Sequence, residues 1–370
     1  MERLERGDAD TDPTFCGLVI SLCAATVASL RRICSANYGM ITVEKCLEMV
    51  KQHDLLASRG SFSLEWCQAK YELGATTGAE RGLDDVVYFR HLSEATMGIR
   101  YLIHHELATM DLISQQELKR LYWLMFCGVS TSDMYMRPSV GLMSPQDDLE
   151  ALRPLDLTDS QLDTSPPINH ASWHGDNISY IPGLNFLSNL FLIWHSSQQR
   201  HNRNIAGIQA QIEQLSRALD DLPTELRWRG GLSRPPKSNF GTDVQIANLY
   251  ITQLHIRSNL FEQLQALLQK EPGNTSINIY SIPEERQRIV DDLLEILSHT
   301  SQETLEANGH SLVPKIRDIG AALLDEVRMG ERTGKVSEKA QRDLELILRK
   351  LEALDFHPEF WTQSPTSMAT

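Results

Sequence analysis

The chain has 370 residues, 41% hydrophobic and 23% charged, the balance of an ordinary soluble globular protein, long enough for one large core or two domains. Its formal net charge of −14 opposes nucleic-acid binding by this chain itself, because phosphate contacts need clustered Lys and Arg. That charge leaves an attached basic module open.

The first strong feature in chain order is the apolar stretch Phe15 to Leu30. It is short for a bilayer crossing and contains Gly, Ser, Thr and Cys. Glu2, Glu5, Asp8, Asp10 and Asp12 precede it against only Arg3 and Arg6, the wrong sign for a signal peptide. The stretch therefore reads as a buried helix, and no membrane association is expected. The cysteines fall at 16, 23, 34, 46, 67 and 127, and no two have the close spacing that clamps one metal. Reduced, mostly buried thiols are expected, with no metal or other cofactor held by this chain. His104-His105-Glu106 is a candidate ligand group without a third partner at a recognisable spacing.

Leu118-Lys119-Arg120-Leu121-Tyr122-Trp123-Leu124-Met125-Phe126 predicts an aromatic and aliphatic helix opened by a basic pair and closed before Arg137-Pro138. Trp123 and Phe126 are expected in the core. Residues 139–182 form a Pro-, Asp- and Ser-rich loop, in which apolar groups such as Trp173, Tyr180 and Ile181 should dock beside a cavity between helices. Within it, Asp147-Asp148 with Glu150 is an acidic group on a loop. His170 and His174 have helical ligand spacing, but Pro166-Pro167 and Gly175 place them in the loop as well.

Ile205, Ile208, Ile212, Leu215, Leu219 and Leu222 recur at spacings of three and four, an apolar helix face closed by Pro223 and better read as core packing than as a coiled coil. Pro223 to Asp243 breaks the helices and carries the densest basic patch, Arg227, Trp228, Arg229, Arg234 and Lys237. This patch would suit phosphate or an acidic partner, although cations just past a helix C-terminus also favour its dipole. After a polar connector from Glu271 to Pro283, Ser281 and Glu284 have capping-box spacing ahead of Ile289, Leu293, Ile296 and Leu297. Asp291-Asp292 with Glu295 resembles a metal-diphosphate motif, which requires carboxylates converging from facing helices; a solvated acidic face is the simpler reading. Leu344, Ile347, Leu348, Leu351 and Leu354 mark a last apolar face. No nucleophile elbow, phosphate-binding glycine loop, dinucleotide motif or solenoid repeat is present.

Taken in order, these motifs resemble the regulatory middle homology region of fungal zinc binuclear-cluster transcription factors. Arg120, Trp123 and Phe126, then Arg137-Pro138, match its Arg-x-x-Trp helix and closing Arg-Pro step. The match departs at Val129, where an acidic residue is usual, at Met136, where glycine is usual, and in a spacing one residue short. Arg3 to Gly7 and Asp12 to Phe15 are similar to the family's first helices. Ala218 to Leu226, Ala247 to Arg257, and Glu306-Ala307-Asn308-Gly309 with Leu312 to Arg317 are similar to later ones, closest to the sugar-utilisation and metabolite-cluster regulators.

The resemblance implies one large all-α regulatory domain with long irregular loops. Its parts would be an N-terminal helical part over 1–138, the loop over 139–182, a C-terminal helical part over 183–356 and a tail over 357–370. It implies control of transcription by RNA polymerase II of metabolic or biosynthetic genes, in the nucleus, through co-regulators or a small-molecule inducer, with homodimerisation open and no enzymatic activity. DNA and zinc would belong to an upstream segment, so the chain is expected to be a truncated regulator, although no nuclear localisation signal is visible. Two other readings stay open: an all-helical enzyme with an acidic metal-diphosphate site, and a helical interaction scaffold.

Overall fold

Capping residues punctuate the chain and decide where its helices begin. Asp12 accepts from the amides of Thr14 and Phe15 with Pro13 in the first turn, and Ser63, Asp85, Asp111 and Asn204 make equivalent bonds at later starts. The computed structural model describes residues 2–57, 60–137, 140–162, 178–228, 230, 239–270, 281–333 and 337–354, without the side chains of 281–283, 310, 325–326 and 329–333. All regular structure among the described residues is helical. In the N-terminal half these are α1 (Glu2–Glu5), α2 (Pro13–Ser29), α3 (Arg31–Tyr38), α4 (Val43–Gln52), α5 (Leu64–Arg81), α6 (Val86–His105) and α7 (Leu112–Met134). The C-terminal half holds α8 (Asp159–Leu162), α9 (Ile181–Ser197), α10 (Ile205–Arg217), α11 (Phe240–Lys270), α12 (Ser281–His299), α13 (Gln302–Thr333) and α14 (Glu338–Leu354).

The centre of the molecule is α7. Leu118, Tyr122, Trp123, Met125 and Phe126 are all buried, so apolar groups surround this helix rather than striping one face. It packs against α5, α6 and α9. Around it one continuous apolar cluster runs from Val50 in α4 to Leu351 in α14, so residues before and after the 139–182 segment share one core. Glycine allows the closest approach of α5 and α6, where a methyl on Gly98 would stand 2.5 Å from Cys67 Sγ.

The end of α7 is a Schellman turn. Met136 N–H donates to the Asp133 carbonyl at 2.9 Å and Arg137 N–H to that of Ser132 at 3.0 Å. The turn needs a left-handed residue at position 136, and Met136 adopts φ +55°. This is the physical reason a glycine suits the position. A side chain there is strained by about 1 kcal/mol, and Met136 is 91% exposed, so it recovers little by packing. Met136→Gly is therefore expected to raise the unfolding free energy by about 0.5–1 kcal/mol in urea denaturation; a loss of stability would contradict the turn assignment.

Several expectations shift. The stretch expected as a buried helix is α2, yet only Gly17, Ser21 and Ala24 are buried, while Leu22 and Cys23 are exposed. Its apolar residues run all round the helix but neighbours cover one side, chiefly α4 and α5. No single helix among the described residues is long and apolar enough to cross a membrane; α2 and α3 pass only as a pair bent by 113°. Leu348 leaves the face assigned to it and lies 48% exposed, because α14 is covered only along the line of Ala340, Leu344, Ile347 and Leu351. Within the segment 139–182, Asp159–Leu162 form the short helix α8 and Pro182 already lies in the first turn of α9, while 139 and 163–177 fall outside the described residues. Ile289, Leu293, Ile296 and Leu297 are all buried, as their spacing predicts.

Candidate functional site

Residues 140–162 form a strap laid across α7, and the motif side chains hold it. Trp123 donates its indole N–H to the Leu152 carbonyl at 2.9 Å, and the Arg153 guanidinium sits 4.1 Å over its ring. Tyr122 and Phe126 meet the same ring edge-on at 5.5 and 5.4 Å. Arg120 bonds Asp159 at 2.6 Å and the Leu157 carbonyl at 3.0 Å, and Gln116 accepts from the Leu155 amide at 2.7 Å. Docking of this segment was expected, but the cavity lies elsewhere, and Trp173 is outside the described residues.

That cavity is a cleft of about 590 Å³ between the α2–α3 corner, the end of α5, the turn after α7 and α13, a size typical of small-molecule sites. Arg31, Arg32, Arg137 and Arg317 line it, in a protein of net charge −14. Arg31 pairs with Glu80 at 2.7 Å, both side chains largely covered; Arg32 pairs with Glu306 at 2.9 Å and donates to the Ala353 carbonyl at 2.7 Å. The Schellman turn brings Arg137 to Asp84 at 2.9 Å, with 43% and 70% of these side chains exposed. Pro138 lies outside the described residues. Pro314, inside α13, lines the opposite wall and has no amide to give the carbonyl of residue 310.

At the cleft wall, α11 and α13 share a polar cluster in which Asp318 faces the cleft and His255 lies behind it. His255 is fully buried, its Nε2 2.6 Å from Asp318 Oδ2, and Asn259 donates to the same oxygen at 3.0 Å. Burial lowers the affinity of His255 for a proton, against the raising effect of Asp318. Burial alone would raise the Asp318 carboxyl, but the bonds from His255 and Asn259 hold it below the ordinary carboxylate range. Tyr135 stacks on His255 at 5.6 Å, and its hydroxyl and His255 Nδ1 are buried with no hydrogen-bond partner among the described residues.

One turn earlier along the same α11-facing side of α13, Lys315 is 2% exposed. Its ammonium bonds Thr252 Oγ1 at 2.7 Å and Asn248 Oδ1 at 3.2 Å and stands 5.7 Å over the Phe191 ring. Burial lowers its pKa to about 7, and burial pushes the nearby Cys127 thiol up to about 12.

The remaining sequence candidates do not converge. Arg227 donates to the Leu222 carbonyl at 2.6 Å, a loop carbonyl beyond the end of α10 at Arg217, and Trp228 lies half-buried against His299. Arg229, Arg234 and Lys237 fall outside the described residues, as do His170 and His174. Asp291, Asp292 and Glu295 are exposed on α12, where Asp291 pairs with Lys339 at 2.9 Å, so these three carboxylates do not close on a cavity. Asp147 is structural, accepting the Ser144 amide at 2.7 Å and, more weakly, the Tyr122 hydroxyl at 3.3 Å. No group of three metal-ligating residues occurs among the described residues, and all six cysteines are free.

Sequence reasoning missed Lys315 and the His255–Asp318 pair. The signal for Lys315 was present: Leu312, Ile316, Ile319 and Leu323 are buried at helical spacing, which puts residue 315 on the covered face. For the cleft no local signal exists, since its walls come from five distant stretches, the last of them Leu354 in α14. No family model, curated protein or solved structure matches this chain.

Proposed function

We propose that the chain is the effector-responsive regulatory domain of a fungal transcription regulator, acting on transcription of metabolic or biosynthetic genes by RNA polymerase II. The observation that carries this reading is the ordered set of family-like motifs along nearly the whole chain, from Arg3-Leu4-Glu5 to Val313-Pro314-Lys315. Their placement supports it further. Arg120, Trp123 and Phe126 organise the strap from the middle of α7, while Arg137 reaches the cleft from its end, so one helix joins a peripheral segment to a ligand-sized space. In this reading the cleft takes an effector, DNA contact belongs to a zinc-cluster module rather than to this acidic body, and the site of action is the nucleus. Co-regulators and a second copy of the chain are the expected protein partners.

Tethering provides the test. Fused to an unrelated DNA-binding domain in fungal cells, the chain is expected to change transcription of a matched reporter several-fold, in either direction. A reporter that stays at the level of the DNA-binding domain alone, with the fusion present in the nucleus, would contradict the reading.

A further inference from the structure

We propose that the cleft binds a small organic anion, a carboxylate on an apolar body, and that Arg137 exchanges its partner Asp84 for the ligand's carboxylate. The inference rests on the regulatory reading for its purpose, and on the geometry of the cleft for its chemistry. Three of the four arginines at the cleft have a carboxylate partner whose pairing is on view, and these pairs differ in how firmly they are held. Arg31 and Glu80 keep only 20% and 17% of their side chains exposed, and Arg32 is tied both to Glu306, 9% exposed, and to the end of α14. These pairs hold elements together. The Arg137–Asp84 pair is open to water on both sides, and such exposed pairs contribute little to stability. Of these three pairs it is the one a competing anion can replace at least cost.

The other acidic groups at the cleft do not oppose an anion equally. Glu306 is engaged by Arg32, and Asp318 is bonded by His255 and Asn259. Among the described residues Asp84 is held by its exposed contact with Arg137, so of these three carboxylates it is the charge that must leave. Arg137 offers a planar fork of donors suited to a two-oxygen acceptor. Leu83, Val313, Pro314 and Leu354 also line the cleft and give it apolar surface against which an uncharged ligand body can lie. A volume of about 590 Å³ accommodates a metabolite-sized acid rather than an inorganic ion.

The experiment is calorimetric titration of the purified chain with 2-naphthoate and with its neutral counterpart, 2-naphthamide. The carboxylate is expected to bind at least about tenfold more tightly than the amide, the size of one charge-assisted contact. Asp84→Asn should tighten naphthoate binding several-fold, and Arg137→Gln should bring the two compounds within about twofold of each other. Ala321→Phe, at an exposed position on the cleft wall, should abolish binding of both. Unchanged melting temperatures in these variants exclude loss of fold, and Arg137→Lys should keep part of the preference as a second check. Equal affinity for the two compounds, no binding of either, or a preference that survives Arg137→Gln would overturn the proposal. Naphthoate binding by a chain that is silent in the tethered reporter would sink the regulatory reading and leave the ligand class standing; the reverse pattern sinks the ligand class alone.

Discussion

Trp123→Ala is expected to lower the unfolding free energy by about 3–5 kcal/mol, a large share of the stability of an ordinary domain. Trp123 is fully buried at the centre of α7, so truncation opens a void that rigid neighbours cannot close. It also leaves the Leu152 carbonyl without its donor and removes the ring beneath Arg153. The damage is expected to spread to the strap, whose residues 140–162 should become the first site of limited proteolysis. Leu124→Ala is the control, because its side chain is on the same helix but 38% exposed, and about 1 kcal/mol or less is expected there. Equal melting of wild type and Trp123→Ala in urea would remove α7 from the centre of the account.

Lys315→Met is expected to do the opposite: to stabilise the protein near neutral pH and to flatten its pH dependence. Among the described residues Lys315 is buried against two neutral oxygens, one ring and the nearby Cys127 thiol, and burial lowers its pKa from the ordinary 10.5 to about 7. Between these two values the unfolded chain binds the proton more strongly than the native one. Stability therefore climbs as pH rises from about 7, by up to about 1.4 kcal/mol per pH unit from this residue. Below pH 7 the charge must be buried and the full penalty is present. Buried thiols act in the other direction, since Cys67 and Cys127 are both pushed up to about 12 and favour the native state less above their ordinary pKa of 9.0. The clean window is therefore pH 7 to 8.5, and the difference between wild type and Lys315→Met isolates the amine. A methionine of similar length should be more stable at pH 6.5 by on the order of 1–4 kcal/mol, with the advantage shrinking as pH rises. An advantage that stays constant with pH would show that the amine does not titrate there.

These two residues also show what a sequence can and cannot reveal here. Trp123 was legible because a run of large apolar groups around a basic pair marks a helix covered on many sides. Ile289, Leu293, Ile296 and Leu297 were legible because burial on one face writes itself as spacing. Helix starts at Asp12, Ser63, Asp85 and Asp111 were not singled out in the sequence, and the structure shows their side chains satisfying the first free amides. The extent of burial was less legible. Apolar residues on all sides of α2 suggested a covered helix, and the packing of neighbours leaves Leu22 in water. The strap depended on partners some thirty positions away, such as Arg120 with Asp159 and Trp123 with Leu152, which no local pattern records. The cleft was hidden for the same reason, since Arg31, Asp84, Arg137 and Arg317 become neighbours only through the tertiary fold. Position 136 joins the two kinds of knowledge: the departure from glycine was visible in the chain, and the left-handed turn explains what it costs.

The measurement that bears most directly on the regulatory reading is transcript profiling of fungal cells from which this chain alone has been removed, with complementation by wild type and by Trp123→Ala. The account predicts that a discrete set of transcripts shifts several-fold, returns with the wild-type chain and does not return with the destabilised variant. Unchanged transcripts accompanied by an altered pool of some small metabolite would contradict it, and would point to catalysis instead.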